Sequence, residues 1–251
     1  MASLTDRVAV VTGAAQGIGA VYAQALAAEG AAVVVADIRA EGAADTVAAI
    51  EAAGGKAVAL SVDVSDRAST LALAEEVRSR FGTAHILINN AAIYHSMRTD
   101  PQMTVDIDYW RKVFSVNVDG ALLMTQAVGP LLIEAGWGRV IMQTSTAPYL
   151  GTAGHYGVTK LALVGLTRGF AKELGPHNIT VNAIAPGPIF TDATLSIINE
   201  DRLDYLMGQQ ALPMRATPQE LVGTLLHLCS DGAAWVTAQT LFVDGGGTPR
   251  I

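Results

Sequence analysis

The apolar run Val8-Ala9-Val10-Val11 breaks on Thr12-Gly13-Ala14-Ala15-Gln16-Gly17-Ile18-Gly19, and helical spacing follows over 18–29 until Gly30 stops it. This strand-then-helix alternation recurs along the whole chain. Residues 32–36 form a second apolar strand, followed by an Ala-rich helix over 41–53 that ends at Gly54-Gly55. A third strand spans 57–62, and Asp66 caps a helix running to Phe81. Further strands are predicted at 86–88, 139–143, 179–184 and 240–243, with helices over 107–128 and 157–174. Short strands that are apolar on both faces need cover on both faces, and the intervening helices supply it. The pattern therefore specifies an α/β fold, a doubly wound parallel sheet. No repeat or Pro/Ser-rich linker divides the chain, so residues 1–251 are expected to form one domain. An irregular stretch at about 190–214 interrupts the alternation and is expected to be a substrate lid.

Composition narrows the partners. The net charge is −7 and no Lys/Arg block occurs, which argues against nucleic acid or an anionic membrane. Cys229 is the only cysteine, so no intrachain disulfide can form. Residues 1–7 carry no apolar signal core, and Gln126, Gly129, Pro130 and Glu134 break the most apolar stretch. A cytoplasmic protein is expected. No metal is expected.

The turn after the first strand is suited to a dinucleotide. Gly13, Gln16, Gly17, Ile18 and Gly19 lie where a helix N-terminus presents unpaired N–H groups and a positive dipole end to a pyrophosphate. The spacing is Gly-x-x-x-Gly-x-Gly; the alternative is a plain tight turn. Asp37 ends the second strand, where a carboxylate can accept from both adenosine ribose hydroxyls and repel a 2′-phosphate. This favours NAD over NADP, although Arg39 offers a nearby cation. Asp63 and Val64 end the third strand and are placed to meet the adenine; a capping aspartate is the alternative. Asn90 and Ala91, in Asn89-Asn90-Ala91-Ala92, follow the fourth strand, where small residues let a cofactor pass and an Asn can anchor the loop.

Tyr156 and Lys160, four residues apart, share a helix face. A phenol with an ordinary pKa of about 10 is a poor proton shuttle at neutral pH, and a cation beside it favours the phenolate. The pair is a candidate acid/base device.

Thr-Gly-x-x-x-Gly-Ile-Gly, Asn-Asn-Ala, Asn117, Ser145, Tyr156-x-x-x-Lys160 and Pro186-Gly187, in this order over nearly the whole chain, resemble the short-chain dehydrogenases/reductases. The resemblance implies a single-domain Rossmann-like sheet of about seven strands in the order 3-2-1-4-5-6-7. It implies that Tyr156 exchanges a proton with the substrate oxygen and that Ser145 hydrogen-bonds the same oxygen. Lys160 would lower the Tyr156 pKa and hold the nicotinamide ribose. Asn117 would hold a helix kink and a relay water. Pro186, Gly187, Ile189 and Thr191 would fix the nicotinamide. It further implies a homotetramer packed through the helices near 107–128 and 157–174 and the last strand. The chain departs from the family twice. The usual spacing to the tyrosine lands on Gln143, whereas alignment through Gly138-Arg139-Val140 selects Ser145, with Thr144 a weaker candidate. Ala92 stands where the family usually has Gly.

The expected reaction is NAD-linked interconversion of a secondary alcohol and its ketone, the partner being a small-molecule alcohol or ketone. Ile93, Tyr94, His95, Ser96, Pro148, Tyr149, Leu150 and His155 are candidate pocket residues. From the lid, Phe190, Leu195, Ile197, Ile198, Leu203, Tyr205, Leu206 and Met207 join them, which points to a hydrophobic or aromatic alcohol. Alternatives are 3-oxoacyl-carrier-protein reduction, a dihydrodiol or polyol substrate, and a non-catalytic nucleotide sensor. Against the first stand Asp37 and the absence of Lys or Arg from 131–138.

Overall fold

The computed structural model describes residues 4–95, 97–151 and 153–248. The strands are β1 (Val8–Thr12), β2 (Ala32–Asp37), β3 (Lys56–Ser61), β4 (Ile86–Asn89), β5 (Gly138–Gln143), β6 (Ile179–Pro186) and β7 (Thr240–Val243). All pair in parallel in one sheet of order β3-β2-β1-β4-β5-β6-β7. The chain winds outward from β1 to β3, then returns to place β4 on the other side of β1. That reversal opens a crevice at the carboxyl ends of β1 and β4.

Helices cover both faces. Ala9, Val11, Val33, Val35, Ile88 and Ile141 point to one side, where they meet Tyr22 and Leu26 of α1 (Gly17–Ala28) and Ile50 of α2 (Ala40–Ala52). Val8, Val10, Val34, Leu87, Val140 and Met142 point to the other. There they meet Val77 of α3 (Arg67–Phe81), Met124 and Val128 of α5 (Gly120–Ala135), and Leu163 of α6 (Gly154–Leu174). Alternate residues of one strand thus serve two cores, and each fully buried aliphatic side chain stabilises the fold by about 1.5–3 kcal/mol. The edge strands depart from full burial: β7 is half-buried throughout, and β3 departs furthest. It lies at the sheet edge, with Lys56, Ala59 and Ser61 exposed.

The helix expected over 107–128 is longer and interrupted. It comprises α4 (Ile107–Phe114), a π-helical turn Ser115–Asp119, and α5, which runs through Gly129-Pro130 to Ala135. Pro130 lies inside the helix because Leu131 and Leu132 beyond it are buried, and packing outweighs local propensity. Ile107–Ala135 is long and apolar enough to cross a membrane, yet much of it is spent on the core.

The segment 190–214 is not wholly irregular. It contains α7 (Asp192–Leu195), capped by Thr191, and α8 (Glu200–Met207), capped by Asn199. An unanticipated helix, α9 (Gln219–Cys229), follows and buries Leu221, Leu225, Leu228 and Cys229 in the first core. Its start was legible in Thr217-x-x-Glu220: Glu220 Oε2 accepts from the Thr217 backbone N–H and, at 2.8 Å, from the Thr217 hydroxyl, which is half of a capping box.

Candidate active site

The carboxyl ends of the strands surround one cleft of about 530 Å³. At its floor the β1–α1 turn lies against the loop after β4. Asn90 ties them together: its Nδ2 donates to the carbonyls of Thr12 and Gly13, both at 3.0 Å, while Thr12 Oγ1 accepts from the backbone N–H of Asn90 and Ala91. This contact leaves no room for a Cβ at Gly19, which would collide with the Gly13 carbonyl and lie 2.6 Å from Asn90 Nδ2. Gly17 is glycine for another reason. Its φ is +56° and a Cβ there would meet nothing within 4 Å. The turn is open on that side, and the Gln16 side chain makes no capping bond to the first turn of α1. Free N–H groups, a helix dipole and an unobstructed backbone suit a pyrophosphate.

Asp37 is buried at the end of β2, its carboxylate accepting from Ala15 N and Arg39 N, both at 2.9 Å. Each oxygen keeps a second lone pair for a ribose hydroxyl. Arg39 Nε stands 3.8 Å away, its side chain half-exposed. Asp63 accepts from Ser65 N and Ser65 Oγ, so it shapes the turn and lines the cleft. Val64 lines the cleft beside it.

At the other end, α6 begins at Gly154, so Tyr156 falls in its first turn and Lys160 one turn later on the same face. Both are buried and both line the cleft. Tyr156 is hydrogen-bonded to Ser145, which sits beyond β5 and also accepts from Ala147 N at 3.1 Å. Lys160 Nζ donates to the Gln143 carbonyl at 2.7 Å and lies 5.4 Å from the Tyr156 ring centre. Burial raises the Tyr156 phenol far above its ordinary pKa; Tyr94 adds to the rise and Ser145 opposes it. Burial likewise pulls the Lys160 ammonium down to about 7. The expected lowering of the Tyr156 pKa by Lys160 is therefore not what this structure displays. Desolvation drives both groups toward their neutral forms, so the phenol is held protonated.

Thr144 is excluded as a hydroxyl partner, since its Oγ1 donates to the Lys160 carbonyl at 2.6 Å. Asn117 lies on the π-helical turn, buried behind the cleft and not in its wall. Its Oδ1 accepts from Ile93 N at 2.7 Å and its Nδ2 donates to Thr159 Oγ1 at 3.2 Å. It joins the loop carrying Tyr94 to the helix carrying Tyr156, which is a positioning geometry. Pro186, Gly187, Ile189, Thr191 and Ala92 all line the cleft, as do Ile93, Tyr94 and His95. Gly19 supports the cleft from behind.

The apolar pocket expected from the lid is a correction. Phe190, Leu195, Ile197, Ile198, Leu203, Tyr205, Leu206 and Met207 are absent from the cleft wall. Leu203 is buried elsewhere, Leu195 and Tyr205 are exposed, and Phe190 packs under Arg215. Thr191, Ala193 and Thr194 face the cleft instead. α7 presents its first turn to the cleft, and no apolar periodicity in the sequence reports that. Tyr149 packs on Phe242, His155 is buried against Tyr109, and neither Pro148 nor Leu150 reaches the cleft. Ser96 lies outside the described residues. Sequence reasoning also missed Thr194, whose hydroxyl hydrogen-bonds Tyr94 across the opening, and Lys112, Ser115 and Val116 from α4 and the π-helical turn. Tyr94 in turn packs against Tyr156, the rings tilted by 42° with centres 5.0 Å apart.

The family model described as enoyl-(acyl carrier protein) reductase, of the short-chain alcohol dehydrogenase type, matches residues 13–248. An uncharacterized oxidoreductase of Mycobacterium tuberculosis is 49% identical over 241 residues, covering 96% of this chain and 97% of that protein. A 3-oxoacyl-[acyl-carrier-protein] reductase of Synechocystis is 38% identical over 250 residues, covering 98% of each. A gluconate 5-dehydrogenase of Burkholderia cenocepacia, solved with NADP and tartrate, superposes with a TM-score of 0.93 at 32% identity, covering 99% of this chain and 98% of that one. With the sheet order and the cleft already described, these matches establish that the chain belongs to the short-chain dehydrogenase/reductase family, whose members are oxidoreductases that use a nicotinamide cofactor.

Proposed function

We propose that this chain is an NAD(H)-dependent oxidoreductase that interconverts a secondary alcohol and its ketone, with Tyr156 as the acid/base. The observation that carries the reading is the hydrogen bond between half-buried Ser145 and buried Tyr156, with Lys160 one helical turn away, in the same cleft as the Gly17 turn and Asp37. A bound nicotinamide dinucleotide supplies or accepts the hydride. Gly13, Gln16, Gly17, Ile18, Asp37, Asp63, Val64, Asn90, Ala91, Pro186, Gly187, Ile189 and Thr191 would hold it. Tyr156 Oη donates its proton to the carbonyl oxygen in reduction and takes it back in oxidation. Ser145 Oγ donates to the same oxygen as charge develops there. Lys160, anchored on the Gln143 carbonyl, supplies the cation that offsets a phenolate. Because the lid keeps its apolar side chains out of the cleft, the reading extends to secondary alcohols in general, polar as well as hydrophobic or aromatic. Absorbance at the reduced-cofactor band across a panel of such alcohols at alkaline pH tests the reading; cofactor binding without turnover on any of them favours a sensor.

The NAD preference rests on Asp37, whose buried carboxylate would face a 2′-phosphate as a like charge. Arg39, 3.8 Å away with a half-exposed side chain, offsets that charge only in part. Asp37→Asn keeps the shape and one acceptor but removes the charge. We expect the ratio of kcat/KM for NAD over NADP to fall by at least about tenfold. An unchanged ratio removes Asp37 as the discriminator.

The same reading carries a homotetramer of this chain as the working form, with neither nucleic acid nor membrane as partner. Ile107 and Leu161 are exposed on the helices that would pack together, which supports it. Sedimentation velocity should give about four times the chain mass of 26.1 kDa; a concentration-independent monomer refutes it.

A further inference from the structure

Gln143 is the residue that the family spacing selects and that the chemistry above leaves with only its backbone in use. It ends β5, is 4% exposed and lines the cleft. Its backbone carbonyl holds Lys160, so the residue sits at the Tyr156–Lys160 end of the cleft, far along the sheet from Asp37. A buried amide must satisfy both of its ends. Its Oε1 accepts from the hydroxyl of Tyr22 at 3.0 Å, across 121 positions of sequence. Its Nε2 is buried and, among the described residues, has no hydrogen-bond partner.

Tyr22 fixes which end of the amide is which. Its ring is wholly buried on α1, and burial holds the phenol firmly protonated, so it must donate. Rotating the Gln143 amide would set its N–H2 against that hydroxyl and leave the buried O–H without this acceptor. The orientation that satisfies Tyr22 leaves two buried N–H donors without a protein partner among the described residues, on a residue that lines the cleft.

We propose that Gln143, oriented by Tyr22, is a further cofactor-binding residue, its amide N–H2 donating to an oxygen at the nicotinamide-riboside end of the bound dinucleotide. The proposal rests on the dinucleotide reading above. Tyr22 is the positioning residue, since it acts only through Gln143. Tyr22 calls for an acceptor at this point of β5 but not for the two N–H donors that come with it, which no group of the protein uses among the described residues.

Calorimetry on the full chain separates the possibilities. Gln143→Met keeps length and volume, leaves the backbone carbonyl for Lys160 and deletes the donors. NADH affinity should fall about five- to tenfold, while affinity for ADP, which lacks the riboside end, stays within about twofold. Tyr22→Phe frees the amide to rotate and should weaken NADH by a smaller factor. Tyr22→Phe combined with Gln143→Met should bind NADH no worse than Gln143→Met alone. NADH bound equally by wild type and Gln143→Met overturns the proposal, as does an equal loss for ADP, which marks a general distortion. If Gln143→Met does not fold, an NADH affinity unchanged in Tyr22→Phe overturns it. Wild-type protein that fails to bind NADH sinks the dinucleotide reading itself.

Discussion

Replacing Tyr156 by Phe should lower kcat/KM by about 10³-fold or more while NADH affinity stays within about threefold. The change removes one oxygen. The ring keeps its tilted contact with Tyr94, and the helix face it shares with Lys160 is untouched. The hydrogen bond to Ser145 is lost, at a cost to stability of about 1 kcal/mol. What cannot be replaced is the proton source. Burial holds the phenol protonated, and among the described residues Tyr156 is the titratable donor bonded to Ser145 in the cleft. His95 also lines the cleft and is the competing acid. Steady-state rates with NADH and a ketone substrate check the expectation; activity within tenfold of wild type would hand the proton transfer to another group.

Lys160→Met should abolish most activity and yet stabilise the protein at neutral pH. The amine is buried, and its pKa falls from 10.5 to about 7 through desolvation. A displacement of that size corresponds to about 5 kcal/mol of penalty when the group is protonated in the unfolded chain. Opposing it, the Gln143 carbonyl loses its donor, which costs roughly 1–3 kcal/mol. The first effect is larger. Between about pH 7 and 10.5 the folded state binds fewer protons than the unfolded one, so wild-type stability rises with pH across that window. At and below pH 7 the whole penalty is present; above 10.5 it is gone. The gain in Tm for Lys160→Met should therefore be greatest near pH 7 and vanish, or reverse, as pH approaches 10.5. Thermal melts across this range decide it. A variant less stable than wild type at pH 7 would mean that the Gln143 bond outweighs desolvation. A more stable variant marks the wild-type lysine as a stability cost retained for chemistry.

Particular elements explain why the sequence carried the architecture so far. Val8-Ala9-Val10-Val11 before Gly13, and the equivalent runs at 32–36 and 86–88, report burial on both faces through composition alone. Where local signals were weak, boundaries slipped. Gly129-Pro130 suggested an end to a helix that the core carries on to Ala135. Thr217-x-x-Glu220 marks the start of α9, but it stands just beyond the irregular lid, where no strand-helix alternation frames it.

The residue types and order of the Gly17 turn, Asp37, Asn90, Ser145, Tyr156 and Lys160 are local patterns, and the chain alone determined that they belong to one cleft at the sheet's carboxyl edge. Tertiary structure decided the rest. It turned the threonines of α7 inward and the apolar lid residues away, set Asn117 behind the wall, placed Lys160 on a backbone carbonyl and joined Gln143 to Tyr22. These are contacts between residues distant in sequence. Desolvation, which sets the proton affinities of Tyr156 and Lys160, is the sum of such contacts, and no spacing along the chain encodes it.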